Sequence, residues 1–581
     1  MICGYSFKIG KELMRMSVAR NGGLSYGVLF AVSILSLVFL TEAGAEGIPR
    51  TVKLMCSKAH DRDSCQTSLA AHPNAAWSGP RGLATIGINN AMGGVNSFHT
   101  YTGSLRSRRN GAGEDSALVA CQSVLQDSQD QLQVSLSTLA TLNTTKFKVQ
   151  MADTLTWLSS ALTDHMTCLE GVSDMSTSGT KDAVMSRAGS VTTLLANAVA
   201  LVAAVSRYGA GVIGTDGHSR RLLEMEQAID STTPVFDLED DGSPEWMRPG
   251  DRKLLQTGAL NNLTIINAVV AKDGSGNYKS IQAAIDAAPT NNSKKWIIQV
   301  KAGVYSEYVE VPKSAKNLVL IGAGIGKTII TGSKSVVGSN LTTFLTATMS
   351  VLAPNFLGRD FTVRNTAGAI NHQAVALKIQ GDKSAFWRCG IEGYQDTLYT
   401  HSNRQFFREC TISGTIDFIF GNAAAVFQSC TLLFRTPLPG QQNTLTAQGR
   451  TTSSQNTGLS FQNCIVDAAP GELLQSQPTV QSYLGRPWKE FSRTVFLTSS
   501  VTRVVDPAGW LPWNGDFALA TLFYGEYRNS GAGAATGGRV KWATVITDAG
   551  VANQFTVNPF LMGAEWLPQT SVAYSPALYS N

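Results

Sequence analysis

The fold is indicated by residues 386–430, which read FWRCGIEGYQDTLYTHSNRQFFRECTISGTIDFIFGNAAAVFQSC. This stretch contains the motif Phe-x-x-Cys three times, and a fourth copy follows at 461–464. The cysteines of successive motifs, Cys389, Cys410, Cys430 and Cys464, are separated by 21, 20 and 34 residues. A period of about 20 residues with short strands is typical of a coiled parallel β-solenoid. The longer last step indicates a coil that carries an insertion.

The repeated cysteines predict a cross-link. In such a solenoid, residues one coil apart stack at the spacing of neighbouring strands, about 4.8 Å. This spacing lies within the range of Cα separations found in disulfides, about 4.4–6.8 Å. We therefore predict a disulfide between Cys410 and Cys430 on adjacent coils.

Two aspartates share a phase of the repeat. Asp396 lies seven residues after Cys389, and Asp417 lies seven residues after Cys410. On adjacent coils their carboxylates would stack within about 5 Å. Two carboxylates so close do not both ionise readily, so one becomes an acid while the other stays ionised. The spacing alone equally suits a Ca²⁺ site or a polar face of the solenoid.

The sequences around these aspartates identify a family. They are GYQDTLY (393–399) and GTIDFIFGN (414–422), with HQAVALK (372–378) upstream and TAQGR (446–450) and LGRPWK (484–489) downstream. At these motifs, and through YGEYRNSGAGA (524–534), the chain resembles the pectin methylesterase family, including its plant members. The resemblance implies a right-handed parallel β-helix for residues 256–581. It also implies a carboxylic ester hydrolase that removes methyl esters from pectin, with no metal and no organic cofactor.

The resemblance assigns a role to each matching residue. Asp417 matches the nucleophile, and Asp396 matches the acid/base. Gln395 and Gln373 match the side chains that stabilise the oxyanion, and Arg486 matches the arginine that holds the nucleophile ionised. Trp488 and Thr343 match positions that contact the substrate. One position departs from the family, since Lys378 stands where Arg is common, and we infer no catalytic role for it.

Residues 46–210 predict a separate helical domain. Between Asp115 and Tyr208 leucines recur at helical intervals, and 191–205 is almost pure Ala, Val and Leu, as in a buried helix. The region resembles the inhibitor domain that plant enzymes of this family carry as a pro-region. That resemblance implies a four-helix bundle with disulfides Cys56–Cys65 and Cys121–Cys168. Residues 71–113, rich in Gly, Asn and Ser, are interpreted as a loose insertion.

The N-terminus and the linker indicate secretion and processing. Residues 1–45 combine basic residues, an uncharged run from Asn21 to Thr41 and a small-x-small pattern at 43–45, so they predict a signal peptide or an uncleaved signal anchor. A linker at 211–255 contains RRLL (220–223) and RKLL (252–255), both candidate cleavage sites for a processing protease. Sequons occur at Asn143, Asn262, Asn291 and Asn340. We expect a secreted, glycosylated monomer of the cell wall, with a possible membrane-anchored precursor.

The charge of the chain suits an acidic polymer. The net charge is +5, and the segment from Gln256 onward has 25 Lys and Arg against 18 Asp and Glu, an excess of +7. Such an excess attracts polyanions. No basic run or zinc-ligand spacing indicates nucleic acid. The substrate partner expected is methyl-esterified pectin (homogalacturonan), and the chain's own inhibitor-like pro-region is a second expected partner.

Three other functions make different demands on the sequence. A pectate lyase or polygalacturonase also uses a β-solenoid, but a lyase needs an acidic Ca²⁺ site and a basic proton abstractor, which these motifs do not supply. A wall-binding or inhibitory protein would release no methanol. The chain's Gly-x-Ser-x-Gly match, at 23–27, lies inside the targeting segment and does not indicate a serine esterase.

Overall fold

The computed structural model describes residues 48–106, 112–175, 179–212, 266–473 and 480–579. The targeting segment 1–45, the two linker tetrads and Asn262 lie outside these ranges. The helices and strands below belong to one compact unit, Thr51–Asn581, apart from Arg50.

The N-terminal part of this unit is helical. It contains the short helices α1 (Arg50–Met55) and α2 (Arg62–Ala70) and the long helices α3 (Pro80–Arg106), α4 (Ala112–Ala140), α5 (Phe147–Ser173) and α6 (Gly179–Tyr208). The disulfides Cys56–Cys65 and Cys121–Cys168 are both present, and the second joins α4 to α5. The predicted helical domain is thus confirmed. Its described residues form four long helices and two short ones, so the helix number predicted for a four-helix bundle fits the long helices alone.

The interpretation of residues 71–113 as a loose insertion is wrong. Most of this stretch forms α3, whose buried residues include Leu83, Ile88 and Phe98. Glycines allow α3 to approach α6 closely, because a Cβ at Gly87 would lie 2.4 Å from Cδ1 of Leu201. The glycines that suggested a loop therefore serve helix packing.

Helix α6 is long and apolar enough to cross a membrane by length and composition, with a mean hydropathy of 1.8. However, 72% of its most apolar window is buried inside the protein, and it packs against α3 and α5. A helix that is apolar on all sides suits the centre of a bundle. The predicted buried helix at 191–205 is confirmed within α6.

Residues 268–545 form a parallel β-helix of three sheets, in which every strand pairing is parallel. Sheet A contains β1 (Ala268–Val270), β2 (Trp296–Val300), β5 (Leu318–Ile321), β8 (Leu357–Arg359), β11 (Ser384–Trp387), β14 (Arg404–Arg408), β17 (Ala424–Gln428), β20 (Gly458–Gln462), β23 (Arg493–Leu497), β25 (Phe523–Tyr527) and β26 (Thr544–Val545). Sheet B contains β3 (Gly303–Ser306), β6 (Thr328–Gly332), β9 (Thr362–Asn365), β12 (Gly390–Glu392), β15 (Thr411–Gly414), β18 (Thr431–Phe434), β21 (Ile465–Ala468) and β24 (Ser500–Val501). Sheet C contains β4 (Val309–Val311), β7 (Met349–Val351), β10 (Leu377–Ile379), β13 (Leu398–Thr400), β16 (Ile419–Gly421), β19 (Asn443–Gln448) and β22 (Ser482–Pro487).

Short helices lie outside these sheets. They are α7 (Ile281–Asp286), α8 (Val336–Ser339), α9 (Ala549–Asn553) and α10 (Val557–Leu561). The last of them packs on the outer face of sheet A, where Val557 and Leu561 join Ala424 and Val426 in an apolar cluster. The three apolar clusters of the β-helix contain residues from Ala268 onward and none from the helical region.

The Phe-x-x-Cys repeat forms a ladder inside the β-helix. Its phenylalanines stack on successive coils, at centroid separations of 5.4, 4.4 and 4.6 Å along the series Phe386, Phe407, Phe427 and Phe461. These side chains are fully buried. Because strands of sheet A repeat in register, an aromatic residue at one phase meets its equivalent on the next coil. The predicted solenoid is confirmed.

The predicted disulfide between Cys410 and Cys430 is absent, which corrects the prediction. Cys389, Cys410, Cys430 and Cys464 are all buried free thiols. Each of the last three thiols points to a backbone carbonyl, as Cys410 does to the carbonyl of Phe386 at 3.5 Å. The spacing between coils lies within the range of Cα separations found in disulfides, but this separation alone does not bring the two sulfur atoms into bonding geometry.

Candidate active site

Asp396 and Asp417 lie at one phase of adjacent coils, each two residues before a strand of sheet C. The strands β13 and β16 pair Leu398 with Ile419, so the two aspartates are in register. Both have left-handed backbones, with φ of 61° and 50°, a conformation that Asp tolerates better than most residues. Both residues are buried, and the structure places them as neighbours, as the spacing predicted.

Asp417 is held by two side chains from the following coils. Arg486 on β22 donates from Nε to Oδ1 at 2.9 Å and from Nη2 to Oδ2 at 2.7 Å. Thr444 on β19 donates from Oγ1 to Oδ1 at 2.6 Å and accepts from the Asp417 N–H at 2.9 Å. This two-point arginine contact fixes the orientation of the carboxylate.

Asp396 has a different environment. Burial raises its pKa well above the usual value, the charge of Asp417 raises it further, and Arg486 opposes the shift. A buried carboxyl beside a carboxylate that is already paired with arginine is thereby kept protonated. The two aspartates thus occupy different environments, since Asp417 is paired with an arginine and Asp396 is a buried carboxyl with a raised pKa.

The two predicted oxyanion residues flank this pair. Gln395 immediately precedes Asp396, and its carbonyl accepts from the N–H of Ala374, the residue after Gln373. Both glutamine side chains are half-buried. Neither side-chain amide donates to another residue of the described ranges, so each has a donor for a bound oxygen.

An aromatic wall borders the aspartates. Trp488 packs edge-on against Tyr399 and Phe420, at ring-centroid distances of 6.5 and 5.9 Å. Tyr399 and Phe420 stack at 4.2 Å on adjacent strands. The Arg486 guanidinium lies over the ring of Trp513 at 4.3 Å. Such rings are suited to contact with the apolar faces of sugars.

Thr343 lies farther along the same face. It begins a 3₁₀ turn, Thr343–Leu345, whose Phe344 packs edge-on against Tyr399 and His401. The turn places Phe344 against these rings, but no described contact joins Thr343 to the two aspartates. Its predicted contact with substrate stays a prediction.

Comparisons with known proteins agree with this geometry. The Pectinesterase family model matches residues 267–564, and the Plant invertase/pectin methylesterase inhibitor model matches residues 50–201. Pectinesterase 1 of Citrus sinensis is 43% identical over 92% of this chain and 90% of its own length. The chain belongs to the pectinesterase family. It is a carboxylic ester hydrolase with an inhibitor-like domain ahead of the esterase.

Two further relatives cover the two parts of the pectinesterase. Pectinesterase/pectinesterase inhibitor 18 of Arabidopsis thaliana is 39% identical over 90% of each chain. The solved structure of a pectin methylesterase from carrot is 52% identical with a TM-score of 0.53, and it covers 54% of this chain and 99% of that chain. The carrot structure therefore corresponds to the β-helix alone.

In this pectinesterase the helical region covers the face of sheet C beside the aspartates. Thr167 on α5 lies 2.9 Å from Nε2 of His401, whose pKa is lowered by burial to about 3, and 3.5 Å from the hydroxyl of Tyr399. Glu170, one turn later, pairs with Lys489 at 2.7 Å. Helix α5 thus lies against the aromatic wall.

Sequence reasoning missed Thr444 as a site residue. It stands in register with Asp417, because β16 pairs Ile419 with Thr446. The coil between the two contains 27 residues rather than about 20, so a fixed period does not reach it. The motif TAQGR, which begins two residues later, was the available signal.

No metal was expected. Within the parts of the chain that the structure describes, no group of three or more His, Cys, Asp or Glu side chains could hold a metal ion.

Proposed function

We propose that the protein hydrolyses methyl esters of galacturonate units in pectin, with Asp417 as nucleophile and Asp396 as acid and base. The observation that supports this most directly is the contrast between the two carboxyls. Asp417 lies on a two-point arginine contact, and Asp396 has its pKa raised by burial and by its neighbour.

In the first half-reaction, an oxygen of Asp417 attacks the carbonyl carbon of the methyl ester. The carbonyl oxygen becomes an oxyanion, which the amides of Gln373 and Gln395 stabilise, an interaction worth about 3–4 kcal/mol for a single oxyanion-hole donor in a serine protease. The C–O bond to the methoxy group then breaks, and Asp396 gives its proton to the leaving oxygen. Methanol departs, and an acyl-enzyme anhydride remains on Asp417.

In the second half-reaction, the ionised Asp396 takes a proton from water, and the hydroxide attacks the acyl carbon. The bond between the acyl carbon and the Asp417 oxygen breaks, and the released Asp417 carboxylate pairs again with Arg486. The product is a galacturonate unit with a free carboxyl group, and Asp396 is again protonated. No cofactor takes part in either step.

Methanol release tests this proposal. We expect residues 256–581 to release methanol from highly methylated pectin, and the Asp417→Asn variant of the same fragment to release none. Folding of both fragments is checked by circular dichroism. A folded parent fragment that releases no methanol would contradict the proposal and favour a wall-binding role.

We also propose that the helical region closes the groove in the uncleaved chain, and that cleavage in the linker opens it. Among the described residues, five Lys or Arg ion pairs and several hydrogen bonds join the two regions, including Glu170 with Lys489 and Thr163 with Asn422 at 2.8 Å. The two disulfides of the helical region also support passage through an oxidising, secretory compartment. We propose that the mature enzyme acts in the cell wall as a monomer.

A charge reversal tests the closure. Glu170→Lys would place two positive side chains against each other at Lys489, so we expect the uncleaved chain to release methanol faster. The matched control is Asp182→Lys, since Asp182 is exposed. Equal rates for the two variants and the parent chain would overturn the closure without affecting the esterase proposal.

A further inference from the structure

The carboxylate of Asp127, on α4, is bound at both oxygens by side chains of the β-helix. Nζ of Lys313 lies 2.5 Å from Oδ1, and Nε2 of Gln380 donates to Oδ2 at 2.8 Å. The same ammonium group pairs with Asp130 at 2.6 Å. The helical region thus presents two carboxylates to one place on the β-helix.

Lys378 adds a second basic side chain at this place. It lies on β10 between the inward-facing Leu377 and Ile379, in register with Tyr399 of the aromatic wall. Its Nζ donates to the carbonyl of Phe344 at 3.0 Å. Burial raises the pKa of Asp127, and the charges of Lys313 and Lys378 oppose that shift. We call Lys313, Lys378 and Gln380 the carboxylate cradle.

One acid opposes the cradle. Glu310 on β4 interacts with Lys378, and the register of β4 with β7 and of β7 with β10 places both on one row of sheet C. Glu310 offsets the buried Lys378, whose pKa burial lowers to about 7, and the partly exposed Lys313 leaves the place positive. It remains suited to an anion when Asp127 is withdrawn.

The signs of the charges across the whole contact support the same inference. In each Lys or Arg ion pair that the described residues form between the two regions, the acid belongs to the helical region and the base to the β-helix. The pairs are Asp127 and Asp130 with Lys313, Asp153 with Lys383 and Arg404, and Glu170 with Lys489. The helical region therefore presents carboxylates to basic side chains of the β-helix, and carboxylates are also the charged groups of a de-esterified polyuronate.

We propose that the carboxylate cradle is a subsite for the free carboxylate of a de-esterified galacturonate unit, and that Asp127 and Asp130 occupy it in the uncleaved chain. This inference rests on the proposed function. A methyl ester has no charge for the lysines, so the cradle discriminates de-esterified from esterified units. The strand β10 is the direct neighbour of β13, which follows Asp396, and β4 lies two strands beyond it. The bound unit and the reacting ester therefore belong to one polymer chain lying along sheet C.

Binding to the β-helix alone tests the subsite. The apolar clusters of the β-helix are formed by its own residues, and the carrot structure consists of the corresponding part alone. The protein tested is the fragment 256–581 carrying Asp417→Asn, which prevents turnover. The probes are a de-esterified galacturonate hexamer and its fully methyl-esterified form. Lys313→Met and Lys378→Met remove the charges. Lys316→Met is the matched control, since Lys316 is exposed nearby.

We expect Lys313→Met to weaken binding of the de-esterified hexamer by about fivefold, which is typical of one half-exposed ion pair, and to change the affinity for the esterified hexamer by less than twofold. Lys316→Met should change neither affinity beyond that. Equal losses for both hexamers, or equal losses in Lys313→Met and Lys316→Met, would overturn the subsite. If the buried change Lys378→Met lowers the thermal midpoint, Lys313→Met decides the question, because Lys313 is 39% exposed.

Methanol release by the fragment with intact Asp417 separates the two proposals. A fragment that releases methanol but binds both hexamers independently of Lys313 contradicts the subsite alone. A fragment that binds the de-esterified hexamer through Lys313 but releases no methanol contradicts the esterase proposal, while the carboxylate cradle itself stands.

Discussion

Arg486 binds both oxygens of the Asp417 carboxylate, with Nε 2.9 Å from Oδ1 and Nη2 2.7 Å from Oδ2. A lysine has one compact charge and does not reproduce this planar, two-point contact. It would also lose the stacking of the guanidinium over Trp513. We therefore expect Arg486→Lys to lower kcat by at least about tenfold, with a smaller effect on KM.

Initial rates of methanol release check this prediction, and Arg503→Lys is the matched control because Arg503 is exposed. A variant Arg486→Lys with the parent's kcat would show that the positive charge suffices and that the orientation of Asp417 does not matter.

Asp396 should make stability depend on pH. Its pKa is higher in the folded than in the unfolded chain, because burial and Asp417 disfavour the charged form. The folded state therefore holds this proton more tightly, and that contribution to stability is complete at low pH and is lost as pH rises through the folded-state pKa. Asparagine is uncharged throughout. We expect Asp396→Asn to be more stable than the parent at pH 8 by about 1 kcal/mol or more, with a smaller difference at pH 4.

Thermal unfolding of the two proteins at both pH values measures this difference. Asp516→Asn, an exposed change of the same kind, should show no such trend. The stabilised variant should be inactive, since an amide cannot give the leaving oxygen its proton. A stability difference that is the same at both pH values would refute the raised pKa.

Thr444 both donates to Oδ1 of Asp417 and accepts from its backbone N–H. Thr444→Val keeps the shape of the side chain but leaves that buried N–H without its partner. We expect a loss of about 1–2 kcal/mol in the free energy of unfolding, and a fall in kcat of about tenfold because the carboxylate loses one of its two fixed contacts. Urea unfolding and methanol release measure the two effects. Thr431→Val, on a strand of sheet B, should leave kcat unchanged.

The sequence predicted the β-helix and its aspartate pair because both depend on one period. The phenylalanine ladder and Asp396 with Asp417 repeat at 20 or 21 residues, so their phase is visible in the chain. Thr444 was missed because its coil is longer, and the register of β19 depends on hydrogen bonding across that coil.

Two other errors arose from contacts distant in sequence. Glycines suggested a loop at 71–113, but Gly87 packs against Leu201 of another helix. Cysteines at the right spacing suggested a disulfide, but in-register thiols stack along the axis and point to carbonyls. In both cases the role of the residues depended on contacts with residues distant in sequence, which the local composition does not reveal.

Gly449 leaves room for Trp488. A Cβ at this glycine would lie 2.9 Å from Cε3 and 3.3 Å from Cζ3 of the indole, closer than carbon atoms normally approach. The ring also packs against Tyr399 and Phe420, so an added methyl group would have to displace the indole from this packing. We expect Gly449→Ala to raise KM for methylated pectin by about three- to tenfold, which corresponds to a loss of about 1 kcal/mol in binding, with kcat within about twofold of the parent. Gly537→Ala, where a Cβ meets no atom within 4 Å, is the control. A variant that loses kcat and keeps KM would mean that Trp488 positions the aspartates rather than the sugar.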